Sequence, residues 1–103
     1  MEHVFGNINA NGTAESKSST LLTVVHDDIG EYTLVFQEGI FSDLPACAAS
    51  QNYPGWHDFT SSGGYTLDNV TIVAISKEKV KLKTGASDGA PADRNFSFIA
   101  IGN

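Results

Sequence analysis

The chain has a single cysteine, Cys47, which excludes an intrachain disulfide, so any fold must be held by its own core. Cys47 sits in the apolar run Pro45-Ala46-Cys47-Ala48-Ala49, where small apolar neighbours raise a thiol pKa and predict an inert, buried thiol. Basic residues are equally scarce. Six Lys and Arg stand against 12 Asp and Glu, for a net charge of −6. Nucleic-acid binding needs cations to neutralise phosphates, so no nucleic-acid partner is expected. No signal peptide and no apolar run of membrane-spanning length is visible. Sustained apolar residues at three- and four-residue spacing are missing too, which argues against helix. No pair of Cys or His residues has finger spacing, so no metal or other cofactor is expected. Asp27-Asp28 and Asp88-Gly89 are read as turn chemistry rather than calcium ligands, because acidic side chains cap turn amides.

What the chain does have is period-two alternation between turn residues. Its 103 residues fit one domain, whose folding buries roughly 65% of the unfolded surface. Only 17% of residues are charged, against the usual quarter or so, and Ser, Thr, Asn and Gly are plentiful. These features predict an all-β domain, an antiparallel β-sandwich of about six to seven strands. The expected strands are 4–9, 19–26, 31–37, 46–52, 66–76, 79–84 and 94–102. Strands two and three should form a hairpin across Asp27-Asp28-Ile29-Gly30, with Tyr32, Leu34 and Phe36 on one face. Ile40, Phe41 and Leu44 should plug one end of the core. The fifth strand has apolar residues on both faces, which predicts a central position. In the sixth, Val80 and Leu82 point inward and Lys77, Lys79, Lys81 and Lys83 form a solvated stripe that discourages edge pairing. In the last strand Phe96, Phe98 and Ala100 share a face.

Catalytic machinery is not evident. A nucleophile needs a base oriented by a third group, and none of His3, His26 and His57 is accompanied by a recognisable nucleophile motif. An enzyme is therefore the least favoured reading. The cluster that suggests binding is Tyr53-Pro54-Gly55-Trp56-His57-Asp58-Phe59, within the longest irregular stretch, Tyr53 to Gly64. Saccharide recognition combines an aromatic face for sugar C–H groups with polar side chains for the hydroxyls. Tyr53, Trp56, His57 and Asp58 supply that combination. The alternative is that Trp56 or Phe59 folds back over an open end of the core. Arg94, beside the Gly85–Asp93 loop, completes the candidate ligand-binding set.

The order of several short patterns is similar to the receptor-binding tip domains of bacteriophage-type tail fibres. They are the opening Val4-Phe5-Gly6-Asn7-Ile8-Asn9-Ala10-Asn11-Gly12-Thr13, then Gly30-Glu31-Tyr32-Thr33-Leu34-Val35-Phe36 followed by Phe41-Ser42-Asp43-Leu44-Pro45, then Asp68-Asn69-Val70-Thr71, the Lys79–Thr84 strand and the ending Ala90-Pro91-Ala92-Asp93-Arg94-Asn95-Phe96-Ser97-Phe98-Ile99-Ala100-Ile101-Gly102. More distantly the chain resembles H-type lectins, with Phe98 where their pattern has tryptophan. The resemblance implies an antiparallel sandwich, assembly as a homotrimer, and recognition of cell-surface glycans or receptors. It also implies a place at the end of a longer fibre-like protein, outside the cell or on a virion or appendage. A structural trimerisation or capping domain without its own ligand is the second reading.

Overall fold

The structure, a computed structural model, describes residues Met1–Asn103 and contains strands but no helix. Eight strands follow in order: β1 (Glu2–Ile8), β2 (Ala14–Lys17), β3 (Leu21–Asp28), β4 (Glu31–Phe36), β5 (Ala46–Asn52), β6 (Asn69–Ile75), β7 (Lys79–Gly85) and β8 (Asn95–Gly102). They form two four-stranded sheets, ordered β2-β1-β8-β5 and β3-β4-β7-β6, and every pairing is antiparallel. The chain crosses between sheets four times. One crossing, residues 53–68, joins β5 to β6, and each of these is an edge strand.

Alternation explains the interior. Tyr32, Leu34 and Phe36 of β4, Val80, Leu82 and Thr84 of β7, and Phe96, Phe98 and Ala100 of β8 are all buried. With Val4, Ile8, Leu21 and Phe41, the apolar members form one cluster drawn from both sheets. Phe36 and Phe41 meet edge to face, with centroids 5.6 Å apart. Tyr32 buries its ring against Phe96 and donates its hydroxyl to the Ala10 carbonyl at 2.6 Å, so its one polar atom is satisfied.

The structure corrects several expectations. There are eight strands rather than six to seven, because β2 pairs with β1. All four β2 residues are exposed, so it has no apolar alternation to betray it, and only backbone pairing defines it. Asp27 and Asp28 belong to β3, which leaves Ile29-Gly30 as the hairpin turn. β6 is an edge strand, not a central one. The ladder to β7 shifts between Ile72 and Ala74, and Val73 is left 49% exposed. The central place goes to β7, whose Lys79, Lys81 and Lys83 lie on the outer face, with Lys81 Nζ 3.3 Å from Glu31. Lying on a central strand, the stripe guards no edge. Leu44 does not plug the core: it is 63% exposed, while Phe41 is buried.

Candidate ligand-binding groove

A groove of about 790 Å³ opens where β5, the 53–68 crossing and the residue before β8 converge. Three stretches of chain line it: Ala49 to Pro54, Gly63 to Asn69 without Leu67, and Arg94. Its floor is tied down by side-chain amides. Gln51 Nε2 donates to the Gly85 carbonyl at 2.6 Å and also to the Asn69 carbonyl, which joins the β5 edge to the facing ends of β6 and β7. Asn52 Nδ2 donates to Ser97 Oγ at 2.7 Å.

Tyr53 is held by glycine. A Cβ on Gly63 would overlap the Tyr53 ring, and one on Gly55 would lie 2.9 Å from its Cε2. A side chain at either position would displace the Tyr53 ring from this place. Tyr65 is freer, 74% exposed against 46% for Tyr53. Two tyrosines, several amides and hydroxyls, the Asp68 carboxylate and the Arg94 guanidinium therefore share one wall system.

Arg94 is the chain's only arginine. Its guanidinium makes no hydrogen bond or ion pair to protein, and its Nε is buried without a partner. The neighbouring carboxylate is engaged elsewhere. Asp93 Oδ1 accepts the Gly30 backbone N–H at 2.7 Å and lies 2.8 Å from His26 Nε2. These contacts, the Gly30 bond foremost, hold the Asp93 carboxyl below the usual range. His26 in turn stacks on Tyr32, with centroids 4.7 Å apart and planes 8° apart. Burial, then the Asp93 charge, raises the Tyr32 phenol. The His26–Asp93 pair thus pins the β3–β4 turn to the segment before β8. A depressed carboxylate pKa contributes stability above its unfolded value of about 3.9, and that stability is lost as pH falls through the lower folded value. Thermal melts of wild type and Asp93→Asn between pH 2 and 6 are expected to differ at the upper end and converge at the lower.

The expected site residues separate into two groups. Tyr53 and Arg94 line the groove. Trp56, His57 and Asp58 lie on the adjoining turn of the same crossing and do not. The Trp56 and His57 rings are tilted by 44° with centroids 4.7 Å apart, and His57 Nε2 is 3.3 Å from Glu15 Oε2 on β2. Asp58 Oδ1 accepts both the backbone N–H and the hydroxyl of Thr60, at 2.9 and 2.6 Å, which holds its carboxyl below the usual range. Trp56 is half-buried and Phe59 is fully exposed, so Phe59 does not fold back over the core. Reading the sequence missed Tyr65, Asp68, Asn69 and the β5 residues Ser50 to Asn52. Their only signal was that they lie within or directly beside the long crossing.

Cys47, packed against the core, has its thiol pushed up to about 11 by burial, in keeping with an inert role. No protein-family model, curated protein or solved structure matches this chain.

Proposed function

We propose that this chain is a non-catalytic binding module of a fibre or surface appendage, which takes cell-surface glycans in the Arg94 groove. The observation that carries the reading is the composition of that groove: two exposed tyrosines beside a dense set of hydrogen-bonding side chains. Tyrosine faces desolvate sugar C–H groups, and amides, hydroxyls and a carboxylate orient the ring hydroxyls. Trp56, His57 and Asp58, on the adjoining turn of the crossing, are proposed as outer contacts for a longer glycan. The reading includes an extracellular or virion-surface location. It also includes a β-sandwich, supported by the single buried cluster that both sheets share.

A homotrimer belongs to the same proposal, and one feature also favours the purely structural alternative. The outward residues of β1, β8 and β5 carry no carboxylate or ammonium group. Phe5 faces Ile99, which faces Ala48, and Phe5 and Ile99 are 48% and 41% exposed. Beside that apolar rung a side-chain chain runs across all four strands: Asn52 donates to Ser97, Ser97 to Asn7, and Asn7 to Ser16. In a chain of net charge −6, this is a surface where copies meet with little repulsion. The lysines of β7, on the other sheet, stay in solvent.

A glycan array probed with the purified protein tests the reading. Saturable binding is expected, and Tyr65→Ala is expected to weaken it by about tenfold or more. The same change should leave unfolding within about 0.5 kcal/mol, because the ring is largely exposed. Absence of binding to any glycan by the folded protein, with a trimer seen by sedimentation, would instead support the structural module.

A further inference from the structure

We infer that the groove selects saccharides bearing a carboxylate, with Arg94 as the residue that recognises the charge. The inference rests on the saccharide reading of the groove and narrows it to one ligand class.

The argument starts from an imbalance. A guanidinium is always charged and presents a rigid fork of donors. In proteins of excess negative charge, such a group usually finds a carboxylate. Arg94 has none, although the chain carries twice as many acidic as basic residues. The adjacent Asp93 is committed to Gly30 and His26, and Asp68, which shares the groove, makes no ion pair with it. Of the arginine's nitrogens only Nε is both buried and unpartnered, so the terminal pair is unpaired and reached by solvent, on a residue that lines the groove. The stem is therefore seated while the end of the fork is free. That is the geometry for an end-on, two-point contact with a planar carboxylate.

The rest of the groove decides what carries the carboxylate. A fatty acid would need an apolar wall, and only three of the thirteen lining residues are hydrophobic. Tyr65 offers an exposed ring, and Ser50, Asn69 and Asp68 offer donors and acceptors suited to hydroxyls. A sugar acid satisfies both parts: its ring lies on tyrosine and its carboxylate meets Arg94. Asp68 lines the same groove without pairing to Arg94, so it disfavours a carboxylate beside itself and accepts hydroxyl donors.

The test uses the full chain and four sets of probes at fixed ionic strength. These are galacturonan and sialyl-lactose oligosaccharides, their methyl esters, the neutral counterparts galactan and lactose, and sulfated galactan. Binding to at least one of the two acidic sugars is expected. Its methyl ester should bind roughly ten to a hundred times more weakly, the range for one charge-assisted contact, and its neutral counterpart should bind no more tightly than the ester. Arg94→Gln should remove the difference between acid and ester, and Arg94→Lys should restore it only in part, since lysine lacks the fork. The esters test the charge without altering the protein, so the outcome stands even if a variant folds poorly. Equal binding of acid, ester and neutral sugar would overturn the inference and leave the saccharide reading intact. Preference for sulfated galactan over both acids would overturn it in favour of a general anion site. Binding to none of the probes would overturn it, and silence across a broad glycan array as well would overturn the saccharide reading with it.

Discussion

Replacing Tyr32 with alanine is expected to lower the free energy of unfolding by about 3–5 kcal/mol, the range for removing a large aromatic side chain from a core. Tyr32 is fully buried near the start of β4. Its ring lies between His26, stacked at 4.7 Å, and Phe96, tilted at 5.0 Å. Truncation leaves a cavity that a two-sheet framework closes only partly. It also strands the Ala10 carbonyl, which accepts the Tyr32 hydroxyl at 2.6 Å. Tyr32→Phe separates these contributions. It keeps the packing and loses only the hydrogen bond, at about 1–3 kcal/mol. Total stability for a domain of this size is about 5–15 kcal/mol, so the alanine variant loses a large share of it. Urea midpoints of the three proteins check the order; an alanine variant no weaker than Tyr32→Phe would contradict the packing described above.

Gly30→Ala is expected to cost roughly 2–4 kcal/mol, from two sources that add. The residue has φ +68°, a conformation that a side chain disfavours. Beyond that, an added Cβ would lie 2.5 Å from the Thr84 carbonyl oxygen and 3.0 Å from the Ala92 nitrogen, both backbone atoms that cannot step aside. Gly30 is also a joint. Its carbonyl accepts the Thr84 N–H at 2.7 Å and its N–H goes to Asp93, so a shift there pulls on β4, β7 and the segment before β8 together. Gly39 supplies the control. It has φ +76° and nothing within 4 Å of an added Cβ, so Gly39→Ala should cost only the conformational part, about 1 kcal/mol. Thermal melts of the two variants measure the difference, and equal losses would show that the crowding at Gly30 is relieved by small movements.

Much of the interior was legible because period two is a local property. Tyr32, Leu34 and Phe36 alternate with Thr33 and Val35, and half the pattern is buried in the structure as the alternation requires. Val80 and Leu82 against the lysines, and Phe96, Phe98 and Ala100 against Ser97 and Ile99, read the same way. β2 was invisible because Ala14, Glu15, Ser16 and Lys17 bury nothing; the strand exists only through its partner. The place of β6 is hidden from the sequence for a related reason. Apolar residues on both faces signal coverage on both sides, but in β6 a ladder shift turns Val73 outward at the sheet's edge.

The candidate site divides along the same line. That the aromatic 53–64 segment is irregular follows from its proline, its glycines and its lack of alternation. That Tyr53 keeps company with Arg94, rather than with Trp56 three residues on, does not. Residues close in sequence need not line the same cavity, and here glycines at 55 and 63 leave room for the Tyr53 ring. The sequence by itself determined the all-β class, the inward faces of the main strands, the inert environment of Cys47 and the charge balance that disfavours nucleic acid. Each depends on composition or on neighbours one to four residues apart. Only the tertiary structure decided the strand order, the His26–Asp93 contact across 67 positions, and the groove that joins residues 49–69 to Arg94. Those depend on which strand edges meet, and pairing energy is shared among so many alternative partners that no local pattern selects one.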